Sequence, residues 1–138
     1  TPKAQRDRNP VVGKLNDELL AKLRRRDRTA RKSGLDEDRR RYLRTAIGAT
    51  YRALPKDYRS TSQPADVLEA VWWNVALVID DTEKGNRGVV HRHKAVVALV
   101  VFRGKKAADL DDLLERWGGY KGAAGRLAKL RRKLKAQG

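Results

Sequence analysis

The chain has 138 residues, the length of one domain, and its 33 Lys and Arg against 17 Asp and Glu leave a formal net charge of +16. Apolar residues make up 40%, enough to bury a core, and the absence of Cys excludes disulfides, thiolate zinc sites and cysteine nucleophiles. No uncharged apolar run of about 18 residues is present to span a membrane, and no charged-then-apolar leader marks a secretory signal, so a cytoplasmic location is expected.

In chain order, residues 1–9 read as a flexible basic arm and residues 10–138 as a single helical-bundle domain. Asn9-Pro10 predicts a helix start, with Asn9 as cap and Pro10 in the first turn. Val12, Leu15, Leu19 and Leu23 then recur at helical spacing, with Arg24, Arg28 and Arg31 on the opposite side. Arg26 falls beside the apolar stripe, so the helix must loosen there or Arg26 must be paired. Ser33-Gly34 ends the element. A second helix is expected from about Asp36 to Leu54, its inner face formed by Leu43, Ile47, Tyr51 and Leu54. Arg41, Arg44 and Arg52 lie outside, Asp36, Glu37 and Asp38 favour its N-terminal dipole, and Pro55 stops it.

A third helix starts near Ser62-Gln63-Pro64. Its stretch from Val67 to Ile79 is apolar almost all round, which places it at the centre of a bundle with Trp72 and Trp73 buried. Gly85-Asn86 breaks the next connection. Val89 to Phe102 fits either a helix or a buried strand. Helix is preferred, because a two-stranded hairpin over 73–102 is marginal alone and no third strand is available. Leu110, Leu113, Leu114 and Trp117 mark a short amphipathic helix ended by Gly118-Gly119. A last helix from about Ala123 sets Leu127, Leu130 and Leu134 against Arg126, Lys129, Arg132 and Lys133. The expected fold is all-α, a compact bundle of about six helices.

Charge is concentrated at the ends. Residues 1–59 carry 18 basic and 8 acidic residues, residues 60–102 carry 4 and 5, and residues 103–138 carry 11 and 4. Solubility asks for a net charge of only about 2–8 in a small domain, so a polyanion partner is expected to offset the self-repulsion. The candidate contacts are Arg24, Arg28, Arg31, Arg41, Arg44, Arg52, Arg126, Lys129, Arg132 and Lys133, and few acids are read at matching positions on the second and last helices. Arg in particular suits phosphate, because its planar fork donates to two oxygens at once. Pro55 to Pro64 separates helices two and three too widely for a helix-turn-helix, so sequence-independent backbone binding is expected. Tyr42, Tyr51, Tyr58 and Tyr120 are candidates for base stacking, although Tyr51 reads as core.

Two further constellations bear on chemistry. Asp80, Asp81, His91 and His93 could surround a metal, but histidines two apart point away from each other on a helix and no HExxH spacing exists. Neither a metal nor any cofactor is expected. Gly118 to Gly125 reads as a hinge between the last two helices, or as a phosphate-cradling loop before a helix N-terminus. No nucleophile–base motif and no paired carboxylates stand out, so no enzymatic activity is expected.

Three stretches, LLAKLRRRDR (Leu19–Arg28), AIGATYRAL (Ala46–Leu54) and LAKLRRKL (Leu127–Leu134), combine with the helix order to carry a resemblance. Over roughly Lys14 to Ala136 the chain resembles the helical small subunit of class 1, multi-subunit CRISPR effector complexes. It lacks a Phe-x-x-Leu patterning in its later half, which points to a divergent type such as type IV. The resemblance implies a non-catalytic protein whose arginine faces line a channel for guide RNA, target strand or displaced strand. It also implies further copies of itself and larger ribonucleoprotein subunits as partners. Alternatives are a free nucleoid-associated or plasmid DNA-binding protein, a ribosome-associated or other RNA-binding protein, and a small toxin or nuclease.

Overall fold

Helix boundaries follow the capping chemistry of the chain. In a computed structural model that describes residues 15–60, 63–83 and 86–137, Asn16 is extended and its side chain accepts the backbone N–H groups of Glu18 (2.8 Å) and Leu19 (3.3 Å). It caps α1 (Asp17–Ser33), satisfying two of the orphan donors of the first turn. This corrects the expected helix running from Asn9 through to Ser33: the backbone is extended at Asn16 and the helix begins at Asp17. The Asn9-Pro10 start and the basic arm 1–9 lie outside the described residues. Gly34, at φ 68°, ends α1 by returning its N–H to the Ala30 carbonyl. The helix runs unbroken through Arg26, whose Nε is buried with no hydrogen-bond partner among the described residues.

The Ser33 hydroxyl donates to Asp38 and accepts from the Leu35 N–H, so the corner into α2 (Asp36–Ala53) is tight. Leu54 is extended, as a residue before proline prefers, and α2 stops there. Leu43, Ala46, Ile47 and Ala49 of α2 are buried, and α1 rests chiefly on this helix.

Two helices, α3 (Pro64–Asp80) and α4 (Arg87–Phe102), cross the middle of the molecule. The ambiguous stretch is therefore helical, and no strand occurs among the described residues. The centre of the bundle is α4 rather than α3. Every residue from Ala95 to Val101 is buried, because α2, α3 and α6 all pack against α4. Its Ala and Val side chains are small enough to admit neighbours on every side, and a helix satisfies its own backbone there. α3 instead turns Trp73 outward, 48% exposed, which corrects the expectation that both tryptophans are buried. Arg59 closes the C-terminal end of α4 by donating to the carbonyls of Val101 (2.9 Å) and Phe102 (2.7 Å), a favourable place for a cation.

A 3₁₀ turn (Ala107–Asp109) leads into α5 (Leu110–Trp117), whose Leu110, Leu113, Leu114 and Trp117 are buried. Gly118 and Gly119 follow at φ 80° and 83°, and α6 (Gly119–Gln137) begins at once. The last helix therefore starts before the expected Ala123. The stretch Gly119 to Gly125 is neither an extended hinge nor a phosphate-cradling loop but the first turns of α6. Gly122 is needed there because a Cβ would fall 1.8 Å from the Trp117 carbonyl oxygen. Ala123 and Leu127 seat α6 in the core, with Leu130 and Leu134 half-buried beyond them.

Candidate nucleic-acid interface

Helix α6 carries seven basic side chains and no acidic one. Leu127, Leu130 and Leu134 hold one side against the core, which leaves Arg126, Lys129, Arg132 and Lys133 exposed on the other. None of these four is ion-paired among the described residues. Arg131 is used differently: its guanidinium lies 4.4 Å from the centre of the Trp72 ring.

The three predicted arginines of α1 also come together. Arg24, Arg28 and Arg31 line a concavity of about 430 Å³ whose far wall includes Thr82. Arg28 is exposed and has no ion-pair partner among the described residues. Arg24 donates weakly to the Asp81 carbonyl at 3.3 Å. Arg31 is half-exposed and bonds Asp27 at 3.0 Å.

The α2 arginines behave otherwise, and the reading that few acids match them does not hold. Arg41 faces Glu37 at 3.9 Å, one helical turn back. Arg44 reaches Asp111 of α5 at 3.4 Å, and Arg40 holds the same carboxylate at 3.0 Å while also bonding Asp36. This face is close to neutral locally. Arg52 stands apart from it, exposed beside Lys22 and Arg25 at a concavity of about 480 Å³.

Three of the four tyrosine hydroxyls are engaged within the bundle and the fourth, that of Tyr42, is buried. Tyr42 is buried. Tyr51 donates to the Lys105 carbonyl at 2.6 Å, and Tyr58 accepts from Arg59. Tyr120 donates to Asp36 at 2.6 Å beneath the Arg39 guanidinium, which sits 3.6 Å from its ring centre. Burial, and then that hydrogen bond, push the Tyr120 hydroxyl up to about 12. Burial acts against ionised Asp36, but the Tyr120 and Arg40 bonds outweigh it and hold the carboxyl below its usual value. His91 and His93 diverge. His91 meets Trp72 edge-on, while His93 is buried between Glu83, at 2.6 Å from Nδ1, and Arg39, which donates to Nε2 at 2.7 Å. Asp80 pairs with Lys94, and no cluster of three metal-ligating side chains occurs among the described residues.

Sequence reasoning missed this buried polar network. One member was within reach: Asp27 continues the Leu19–Leu23 spacing by one more turn and is 2% exposed. Burial raises its carboxyl above the usual 3.8, and the neighbouring Glu83 adds to this against the pull of Arg31. A group whose folded pKa is raised contributes most stability below its unfolded pKa and loses that contribution as pH rises through the folded value. Ionised Asp27 is therefore a cost at neutral pH. Asp27→Asn is expected to raise Tm at pH 7 by a few degrees, with the gain shrinking toward pH 3. A lower Tm at pH 7 would show that the Arg31 pair outweighs burial.

No helix among the described residues is long and apolar enough to cross a membrane. Comparison of the chain with protein-family models, with curated proteins and with solved structures gives no match.

Proposed function

We propose that the protein is a non-catalytic module that binds the backbone of a nucleic acid without reading its sequence, as a subunit of a ribonucleoprotein. The observation that carries this reading is α6, seven cations with no acid on the helix and its outward four unpaired among the described residues. Phosphate would neutralise them and release condensed counterions. The α1 arginines supply a second, concave cationic patch. In its specific form the proposal is a helical small subunit of a class 1 CRISPR effector in the cytoplasm. Further copies and larger subunits would then share a channel for guide RNA and target strand with it.

The test is anisotropy titration of short labelled single-stranded RNA, single-stranded DNA and duplex DNA over a salt series. With about six phosphates neutralised, log affinity falls against log salt with a slope near −4 for single strands and near −5 for duplex. A flat response would overturn the reading. Co-purification of the tagged protein from its source cells tests the specific form: a fixed set of larger proteins with a uniform short RNA supports it. Bulk DNA or ribosomal RNA alone overturns it.

A further inference from the structure

Trp73 is one of two large apolar side chains exposed among the described residues, and its setting is unlike that of the cationic faces. At about 100° per residue it lies at the centre of the solvent side of α3, opposite the fully buried Val71, Val75 and Val78. Asp66, Glu69 and Asp80 share that side, and α3 carries no basic residue at all. Asp66 and Glu69 are exposed and in no ion pair among the described residues. Acids around the ring repel phosphate, so Trp73 is poorly placed to stack on the bases of a bound strand.

One turn back along α3, a groove of about 460 Å³ opens against the C-terminal part of α6. Ala65 and Leu134, both half-buried, give it apolar walls, and its rim carries Glu69 on one side and Arg131, Arg132 and Lys135 on the other. Arg132 and Lys135 are exposed and in no ion pair among the described residues. Sites of about 300–1,000 Å³ take whole small organic molecules, so one indole ring fits. An exposed indole ringed by acids therefore lies beside an apolar groove ringed by cations. Two complementary features side by side on one surface suit an isologous contact, in which each copy supplies what the other receives. Ala70 and Ala76, one turn to either side of Trp73, are small enough to let a second α3 approach closely.

We propose that two copies of the chain pair about a two-fold axis with their α3 helices crossing. Trp73 of each copy sits in the α3–α6 groove of the other, and Asp66 and Glu69 face the other's Arg132 and Lys135. The contact goes beyond the nucleic-acid reading and does not depend on it. Arg126, Lys129 and Lys133 lie on the opposite flank of α6 and stay open to a strand.

The experiment is sedimentation equilibrium of the full chain, freed of nucleic acid, from ~1 µM to ~200 µM. Salt is held at ~150 mM, where repulsion between two copies of net charge +16 is screened beyond about 8 Å. The average mass is expected to rise from one copy toward two. Trp73→Ala, at an exposed position, should raise the dissociation constant at least about tenfold. A charge exchange tests the pairing. Asp66→Lys with Glu69→Lys in one variant, and Arg132→Glu with Lys135→Glu in another, should each leave a monomer, because both halves of the contact become repulsive. An equimolar mixture of the two variants should restore the dimer, because both halves are then attractive. Circular dichroism confirms that every variant is folded. A wild-type monomer throughout the range, a Trp73→Ala variant that dimerises as well as wild type, a mixture that stays monomeric, or growth beyond two copies overturns the contact. A dimer that binds no RNA at low salt leaves the contact standing and overturns only the backbone reading.

Discussion

Replacing Gly122 by alanine is expected to destabilise the protein by about 3 kcal/mol, lowering Tm by roughly 10 °C in thermal melts followed by helical circular dichroism. The cause is the junction between α5 and α6. Two successive glycines with positive φ turn the chain so sharply that the Trp117 carbonyl occupies the place where a Gly122 side chain would begin. The neighbouring atom belongs to backbone, so relief requires α6 to move off α5 and off the core seat of Ala123 and Leu127. Gly125 supplies the control. It lies in the same helix, and a Cβ there would meet nothing. Gly125→Ala should therefore stabilise by up to about 1 kcal/mol through helix propensity alone. Opposite signs three residues apart would verify the close approach, whereas a wild-type melt for Gly122→Ala would refute it.

The second large effect concerns binding. Neutralising Arg126, Lys129, Arg132 and Lys133 together as glutamines should reduce affinity for single-stranded RNA at least about a hundredfold at ~150 mM salt. The salt slope should flatten by about 3. Helicity should persist, because all four side chains are exposed. Arg41 and Arg44 neutralised in the same way should cost less than about tenfold. Each already faces a carboxylate, Glu37 or Asp111, that competes with phosphate. An α2 pair that proves as costly as the α6 set would move the binding face to α2.

Elements whose apolar residues repeat on one side are legible in the sequence. α2 and α5 lie where Leu43-Ile47 and Leu110-Leu113-Leu114-Trp117 place them, since a single stripe has only one way to face a core. α3 and α4 were harder, because a helix apolar on all sides does not say which neighbours surround it. Residue size decided the matter: α4 is Ala and Val from 95 to 98, whereas α3 bears Trp73. The glycines of 118–125 misled for a related reason. A glycine that permits a turn and a glycine that permits contact look alike in a string. The exposed cations of α1 and α6 were readable as the reverse sides of leucine stripes. Pairings such as Arg44 with Asp111, or Arg39 with His93, join positions 67 and 54 residues apart and leave no local trace.

The helix that supplies the concave arginine patch is also loosely anchored. α1 buries only Leu23 and Asp27 completely, and one of those two is a carboxylate that resists burial. Segments with few buried apolar contacts open at a lower free energy than the molecule as a whole. α1 is thus expected to open at a lower free energy than α4 and its neighbours. A strand that gripped α1 and α6 together would bind the docked state alone and suppress this opening by mass action. Part of its binding free energy would then appear as rigidity in α1 rather than as affinity.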